Sequence, residues 1–263
     1  MINVIEDIQS GNLPKILFKY RTFTSEFDLN VLRNSEVYFS SPKKFEDPKD
    51  CKLDYTYKSL TKENIWKRGF QIITNENPTF NRATKRGQLR QLEKVSPIYN
   101  PHLRPKIENK FRNQFEEMAG VLSLSTEFDN SDMWKKYAND FSGFCVGFNS
   151  EFFFNKDIGA IWGKVIYTEH LPKICPIILP EEDVTKNWLT ELFYKENKWD
   201  FENEYRVIGI RFNGIEDQTR KKVLGHKAIE VIYLGRNILK SNSDLVFKIC
   251  EKNQIDSTRI IFL

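Results

Sequence analysis

Two glutamates separated by one residue, Glu202 and Glu204, are the part of this sequence with the clearest capacity for chemistry. Carboxylates this close repel each other, so a cation or a hydroxyl-rich ligand is expected to lie against them. Such carboxylates can hold a sugar hydroxyl and stabilise a positively charged sugar transition state, as in glycoside hydrolysis. The alternative is that Arg206 supplies the cation and that the three residues form a solvated ladder on a strand.

The segment that must position these carboxylates, residues 198–210, changes from polar and aromatic to apolar. This change predicts a strand that emerges from a loop. Because side chains alternate along an extended chain, Glu202, Glu204 and Arg206 are expected on one face. The acidic stretch before it, residues 181–197, is predicted to be a helix.

Two further polar clusters lie on otherwise apolar predicted strands. Tyr20 and Arg21 end the strand predicted at residues 14–21, and Ser123, Ser125 and Thr126 lie on the strand predicted at residues 120–126. Each cluster alone is typical of a surface residue or a polar strand face. The order along the chain is more specific: an arginine, then a Ser/Thr strand, then Glu-x-Glu.

The predicted elements favour an α+β fold. Strands are also expected at residues 143–148 and 228–234, and they are too numerous and too closely spaced for an alternating βα pattern. We therefore predict mostly antiparallel or mixed sheets with flanking helices. Residues 1–263 are predicted to form a single domain, with a basic helical insertion around residues 75–118.

Charge is distributed unevenly along the chain. Residues 81–112 contain nine Lys or Arg and two Glu, a local charge of +7 (9 − 2), whereas the whole chain carries +4. Such a stretch can bind a phosphate backbone. The candidates for nucleic-acid binding are Arg82, Lys85, Arg86 and Arg90. The alternatives are an ordinary solvated basic loop, or a surface that docks an acidic antitoxin or target protein.

Several classes of function are disfavoured. No apolar run approaches the length of a membrane span, so no membrane partner is expected. The four cysteines form no Cys-x-x-Cys pair and are interpreted as free thiols of a cytoplasmic protein. The three histidines are far apart, so neither a metal site nor a Ser-His-Asp triad is expected. Neither the Gly-x-Gly-x-x-Gly motif nor a Walker loop is found.

The order of the three polar clusters resembles the Arg–Ser–Glu signature of the ADP-ribosyltransferases. A second resemblance spans most of the chain and is to the bacterial DUF2971 family, which is grouped with ADP-ribosyltransferase-like folds. It rests on five sequence blocks, at residues 17–23, 37–48, 132–138, 143–148 and 199–206. The loop block of the family usually has Asn-Asp after its phenylalanine, where this chain has Glu46 and Asp47. The resemblance implies an ADP-ribosyltransferase-like fold in which two sheets form a cleft around NAD.

The resemblance also implies roles for individual residues. Arg21, beside Tyr20, would bind the NAD pyrophosphate by a planar fork. Trp134, Tyr137 or Phe45 would supply a ring surface for nicotinamide, and the hydroxyls of Ser125 and Thr126 would hold the ribose or support the catalytic glutamate. The loop residues Ser41 and Asp47 complete the NAD-binding set. Against these roles, Trp134 and Tyr137 have the spacing of core residues on a helix, and Asp47 precedes Pro48 as a turn residue does.

The two glutamates receive different roles. Glu204 would accept a hydrogen bond from the ribose 2′-hydroxyl and stabilise the oxocarbenium ion as nicotinamide leaves. Glu202 would face the acceptor and deprotonate it. The implied activity is NAD-dependent mono-ADP-ribosylation of a macromolecule, with nucleic acid favoured over protein, by a toxin or phage-defence effector that has a possible antitoxin partner. The alternatives are an NAD glycohydrolase on the same fold and a non-catalytic module that senses a nucleotide.

Overall fold

The structure, a computed structural model, describes residues 8–96, 100–154, 158, 161–176, 184–210 and 212–263. Within these residues, strands and helices alternate irregularly, which confirms the predicted α+β class. No helix in the described ranges is long and apolar enough to span a bilayer. The four cysteines are buried and free.

Eleven strands are found in the described part of the chain. They are β1 (Ile16–Arg21), β2 (Glu36–Tyr38), β3 (Gly120–Ser125), β4 (Phe144–Asn149), β5 (Ile161–Lys164), β6 (Ile166–Thr168), β7 (Tyr194–Glu196), β8 (Glu204–Gly209), β9 (Lys221–Val223), β10 (Ile229–Leu234) and β11 (Ile260–Phe262). Seven of them form one sheet in the order β11-β10-β4-β1-β3-β8-β5. Only the β10–β11 pair in this sheet is parallel. Strands β2 and β9, and strands β6 and β7, form two small sheets.

The large sheet is weakly joined between β1 and β3. These strands share a single registered pair, Phe18 with Ser125, whereas β1 pairs with β4 over all six of its residues. A sheet split in two was expected, and the structure has one mixed sheet with an interruption at this place. The interruption matters for function because it opens a gap in the middle of the sheet.

Seven α-helices flank the sheets in the described residues. They are α1 (Glu26–Arg33), α2 (Lys62–Glu76), α3 (Arg82–Val95), α4 (Arg104–Met118), α5 (Ser131–Tyr137), α6 (Val184–Phe193) and α7 (Lys240–Lys252). Side-chain caps define where three of them begin, and at α3 the cap is Asn81, which accepts a hydrogen bond from the Thr84 amide. Ser25 accepts a hydrogen bond from the Asp28 amide at the start of α1, and Asn130 accepts from the amides of Asp132 and Met133 at the start of α5.

The main core lies between one face of the large sheet and helices α1 and α7. Leu17 of β1, Leu32 of α1 and Val246 of α7 are fully buried in it. The side chain of Asn253, just after α7, donates to the carbonyls of Leu32 and Arg33 and so links the two helices. Apolar packing closes this face around Leu17.

The other face of the sheet is covered by two separate apolar clusters. One joins β1 to α5 through Phe18, Met133 and Trp134. The other joins the strands β3 and β8 to α4 and α6, and contains Phe115 and Leu192. Because the covering helices form two groups, a space remains between them above the gap in the sheet.

The basic insertion predicted around residues 75–118 is helical, and two helices, α3 and α4, lie within it. Helix α3 begins at Arg82 and packs on α2 through Leu89, which is 2% exposed. The indole of Trp66 on α2 donates to Glu93 of α3. Helix α4 follows and leads directly into β3. The insertion is therefore held to the fold at its end by the Phe115 cluster.

The acidic segment before Glu202 differs from its prediction. The predicted helix covered residues 181–197, but α6 ends at Phe193 and the chain continues as strand β7. Residues 181–183 lie outside the described ranges. A 3₁₀ helix, Asn197–Glu202, follows β7, and strand β8 starts only at Glu204. Glu202 therefore precedes the strand on which it was expected to lie.

Candidate functional site

A cavity of about 250 Å³ lies over the gap between β1 and β3. It is bounded by these two strands, by α5, by the loop that follows β2 and by the segment from β7 to β8. Its polar wall contains Lys19, Arg21, Asp47, Asp50, Ser123, Ser125, Tyr137, Lys195, Glu202 and Glu204. Each of the three polar clusters of the sequence contributes to this lining.

The floor of the cavity is a buried network of three carboxylates and two cations. Arg206 donates to Glu204 from Nε (2.8 Å to Oε1) and from Nη2 (2.9 Å to Oε2), and its Nη2 lies 2.8 Å from both oxygens of Asp50. The Lys195 amine lies 3.2 Å from Glu204 and 3.2 Å from Asp50, and it also donates to Glu202. Arg206 is 0% exposed, so the alternative of a solvated ladder is wrong, although Arg206 does supply a cation to Glu204.

The backbone explains how two glutamates of different elements reach the same lysine. Asn203 has a left-handed conformation (φ 42°), which asparagine tolerates better than most residues. This residue breaks the strand alternation between Glu202 and Glu204. The Ser125 hydroxyl then donates to the Glu202 carbonyl at 2.9 Å and fixes the turn against β3. Ser125 therefore supports the glutamate.

The two glutamates have pKa values displaced in opposite directions. Burial alone would raise the pKa of Glu204, but Arg206 and Lys195 outweigh it and hold this pKa well below its usual range. Burial raises the pKa of Glu202, with Glu204 adding to the rise and Lys195 opposing it. Glu204 is a fixed negative charge, and Glu202 is the carboxylate that can take up and release a proton.

Aromatic rings line the cavity beside the carboxylates. The Tyr137 hydroxyl donates to Glu202 Oε1 at 2.5 Å, so α5 delivers a side chain to the site as expected. Phe45 of the loop and Trp199 of the 3₁₀ helix also lie in the lining. The Lys195 amine is 5.2 Å from the centre of the Trp199 ring. These rings give the cavity apolar walls next to a charged floor.

Tyr20 and Arg21 both reach the cavity, at the opposite end of the gap. The Tyr20 hydroxyl is already engaged with the Glu127 carbonyl at 2.9 Å, so only its ring is available to a ligand. Arg21 has donors to spare. Its Nε has no hydrogen-bond partner, its Nη1 makes a single 3.4 Å contact with the Tyr20 carbonyl, and its nearest carboxylate, Asp28, is 3.9 Å away.

The two predicted loop residues have different environments. Asp47 lines the cavity; its Oδ1 accepts from the Lys49 amide at 3.1 Å, and its buried Oδ2 has no hydrogen-bond partner. Ser41 lies outside the lining. Its hydroxyl donates to the Glu116 carbonyl at 2.7 Å and accepts from the Lys43 amide, so Ser41 ties the loop to the end of α4 instead of facing a ligand.

Two other residues assigned to NAD from the sequence lie outside the cavity lining. Trp134 is 0% exposed; its ring stacks on Phe141 and its indole donates to the Phe128 carbonyl at 2.6 Å. It is a core residue, as the helical spacing allowed. The Thr126 hydroxyl is 3.3 Å from the Asn203 carbonyl and helps to hold the turn between the glutamates.

The basic residues of the insertion do not all face the same way. Arg82, Arg86 and Arg90 are exposed on α3 at four-residue steps and form one cationic row. Lys85 is buried at 8% exposure, on the side of α3 that carries Leu89, so its assignment to a nucleic-acid surface is wrong.

Three polar residues of the cavity were missed by the sequence interpretation. Lys195 was missed because it lies on a three-residue strand that the acidic helical pattern concealed. Asp50 was missed because the loop block drew attention to Asp47. Lys19 was missed because a lysine on a strand usually faces solvent, and here it projects into the gap beside β3.

Among the described residues, no group of three or more His, Cys, Asp or Glu has the arrangement of a metal site. No curated protein and no solved structure matches the chain. A family model described as a protein of unknown function, DUF2971, matches residues 133–207, from α5 to the middle of β8. The segment that carries Tyr137, Lys195, Glu202 and Glu204 thus matches DUF2971, which supports the family assignment indicated by the sequence blocks.

Proposed function

We propose that this protein transfers ADP-ribose from NAD to a macromolecule, with nucleic acid favoured over protein as the acceptor. In this reaction the bond between the ribose C1′ and the nicotinamide nitrogen breaks, and its electron pair leaves with nicotinamide. The acceptor forms a new bond to C1′ and loses a proton. The protein must stabilise the developing positive charge on the ribose and receive that proton.

The charge of the cavity floor is the observation that supports this proposal most directly. With all groups ionised, Asp50, Glu202 and Glu204 carry three negative charges, and Lys195 and Arg206 carry two positive ones. The floor thus has one uncompensated negative charge in a buried setting. A ligand with a single positive charge balances it, and both the nicotinamide ring of NAD and the oxocarbenium ion carry one.

The opposed pKa values of the glutamates support a division of roles. Glu204 is ionised at neutral pH, because Arg206 and Lys195 hold its pKa well below the usual range. It suits the stabilisation of the oxocarbenium ion. Glu202, whose pKa is raised, suits the uptake of the acceptor proton. Tyr137 keeps the Glu202 carboxylate oriented toward the cavity.

The remaining lining supports binding of the rest of NAD. Phe45, Tyr137 and Trp199 offer ring surfaces for nicotinamide, and Trp199 takes the place that the sequence interpretation gave to Trp134. Arg21, with its unpartnered Nε, offers a fork for the diphosphate. The role of toxin or phage-defence effector, with an antitoxin as partner, is supported by the family resemblance alone.

The proposal is tested with NAD labelled separately in its adenylate phosphate and in its nicotinamide. The purified protein is mixed with total RNA, single-stranded DNA, duplex DNA or cell-extract protein, with Glu204→Gln as the inactive control. Phosphate label on RNA or DNA is the expected result, and label on protein would change the acceptor class. Released nicotinamide without transferred label would favour the glycohydrolase. Absence of NAD turnover with every acceptor would overturn the proposal in favour of a binding module.

A further inference from the structure

The half-buried Lys19 and the buried Lys195 both line the cavity, but their partners differ. Lys195 contacts three carboxylates, whereas the Lys19 amine donates at 2.5 Å to the Ser123 carbonyl across the gap between β1 and β3. In the part of the chain that the structure describes, Lys19 forms no ion pair. A lysine has two N–H donors as the neutral amine and three as the ammonium, so in either form Lys19 has donors left for a ligand.

Arg21 lies two residues further along β1, so its side chain leaves the strand on the same side as Lys19. Its guanidinium has a long ion pair with Asp28, at 3.9 Å, but its Nε has no hydrogen-bond partner. The cavity therefore has two kinds of cation. Lys195 and Arg206 are neutralised by the floor, while Lys19 and Arg21 face the cavity with unused donors.

We propose that Lys19 and Arg21 together form an anion subsite for the diphosphate of a nucleotide ligand, and that Lys19 takes up a proton when this ligand binds. The inference adopts from the proposed function only the phosphorylated nature of the ligand. It assigns Lys19 a binding role that is separate from the bond-breaking chemistry at Glu202 and Glu204.

The proton uptake follows from the surroundings of the amine. Burial, and then the positive charge of Arg21, lower the pKa of Lys19 to about 7. The ionisable groups around it are Arg21 on β1, Asp28 on α1, Cys145 on β4, Glu202 and Glu204. The three carboxylates favour the charged amine, but burial and Arg21 outweigh them. A diphosphate beside Lys19 adds two negative charges at short range and so favours the ammonium form.

The direction of the pH dependence follows from this pKa. Near pH 8 the free protein holds Lys19 mainly as the neutral amine, so a bound diphosphate draws close to one proton from the solvent. Near pH 6 the amine is already charged, so binding takes up almost none. Affinity for the diphosphate falls as the pH rises above about 7, because the proton must then be supplied.

The test is calorimetric titration with ADP-ribose, whose diphosphate has no group that titrates near neutral pH. The heat of binding is measured near pH 8 and near pH 6 in buffers of different ionisation enthalpy, which gives the number of protons taken up. We expect about one proton at the higher pH and almost none at the lower.

Variants show whether Lys19, and not another group, takes up the proton. Lys19→Met should bind ADP-ribose more weakly, by about tenfold or more, and without proton uptake. Lys19→Arg keeps a permanent positive charge, so it should bind without uptake and with less dependence on pH. Lys15→Met is the matched control, because Lys15 is exposed just before β1 and lies outside the cavity lining. It should behave like the unmodified protein.

The inference fails if the unmodified protein does not bind ADP-ribose, or if proton uptake persists in Lys19→Met. Thermal unfolding of each variant shows whether it is folded. If Lys19→Met does not fold, the absence of proton uptake is tested with Lys19→Arg instead. The outcome is independent of catalysis. ADP-ribose binding with proton uptake but without NAD turnover would support this subsite and contradict the proposed function. NAD turnover without proton uptake would support the proposed function and contradict this subsite.

Discussion

The Arg206 guanidinium and the Glu204 carboxylate form a two-point pair inside the sheet, 2.8 Å from Nε to Oε1 and 2.9 Å from Nη2 to Oε2. The same guanidinium holds both oxygens of Asp50, which belongs to the loop on the far side of the cavity. One arginine thus connects the strand that carries the central glutamate to the loop that encloses it. A change at Glu204 should therefore affect both chemistry and stability.

Glu204→Gln should reduce NAD turnover by about a hundredfold or more, because the fixed negative charge that stabilises the oxocarbenium ion is lost. It should also lower the free energy of unfolding by about 3 kcal/mol, because Arg206 and Lys195 then lack part of their compensation. Nicotinamide release and urea denaturation measure the two effects. Glu196→Gln, which changes a carboxylate paired with two exposed lysines, is the control. Turnover of Glu204→Gln close to the unmodified rate would refute the role of this residue.

Tyr137→Phe should shift the acid side of the pH–rate profile upward. The Tyr137 hydroxyl donates to Glu202 and favours its ionised form, so its removal raises the pKa of Glu202 further above the usual value. The proton acceptor then becomes available only at higher pH. Tyr20→Phe is a matched control, because its hydroxyl donates to a backbone carbonyl away from the glutamates. An identical profile for Tyr137→Phe would show that Glu202 does not limit the reaction.

The α+β class and much of the sheet were predictable from sequence, because they depend on patterns among residues that are close together in the chain. Strand β4 has five of its six residues buried, and β10 is apolar except for Glu230, so the local hydrophobic pattern identifies both strands. The pairing of Glu202 with Glu204 was also visible as a motif. These features depend on residues close together in the chain.

The features that were not predictable depend on contacts distant in sequence. Lys195 meets Asp50 across 145 positions (195 − 50), and only the folded chain shows that this lysine compensates the glutamates. The sequence interpretation placed the Trp134 ring at the cavity, whereas the Trp199 ring lines it, and this difference also depends on contacts distant in sequence. Both tryptophans precede polar residues, and only the packing of α5 on β1 buries the first and leaves the second at the site.

The two tryptophans should respond oppositely to substitution. Trp134→Leu should lower the free energy of unfolding by about 3 kcal/mol, because it removes a fully buried ring stacked on Phe141, and should leave NAD affinity little changed. Trp199→Leu should weaken NAD binding about tenfold with a smaller loss of stability. Denaturation and calorimetry on both variants test this. A larger effect of Trp134→Leu than of Trp199→Leu on NAD binding would reverse the assignment.

Glu191 should make the protein less stable as the pH rises from about 4.5 to about 7. Burial raises its pKa from 4.5 to about 7, with Arg112 at 3.5 Å opposing the shift, so the folded state binds a proton that the unfolded state releases in this window. The shift corresponds to about 3 kcal/mol. Glu191→Gln should therefore be more stable than the unmodified protein near pH 8 and about equal to it near pH 4. Thermal unfolding across this range measures the difference, and Glu196→Gln, at a surface site, should show no such gain.

The row of Arg82, Arg86 and Arg90 on α3 should contribute to nucleic-acid binding without contributing to NAD binding. Four-residue steps place the three guanidinium groups along one exposed side of the helix, where they can contact successive phosphates of a nucleic-acid strand. Replacing all three by glutamine should weaken binding of single-stranded RNA and reduce the slope of log affinity against log salt by about two. Fluorescence anisotropy over a range of salt concentrations measures both quantities.

Lys85, the buried lysine next to this row on α3, provides the control for the triple variant. Lys85 has the same charge on the same helix but faces Leu89 and α2, so Lys85→Met should leave the salt slope unchanged. Equal losses in Lys85→Met and in the triple variant would mean that the overall charge of the insertion matters and its geometry does not. An unchanged slope in the triple variant would remove α3 from acceptor binding. In that case the choice of acceptor would have to be made at the cavity itself, where Lys44 is part of the lining and Lys136 lies 4.9 Å from the centre of the Trp199 ring.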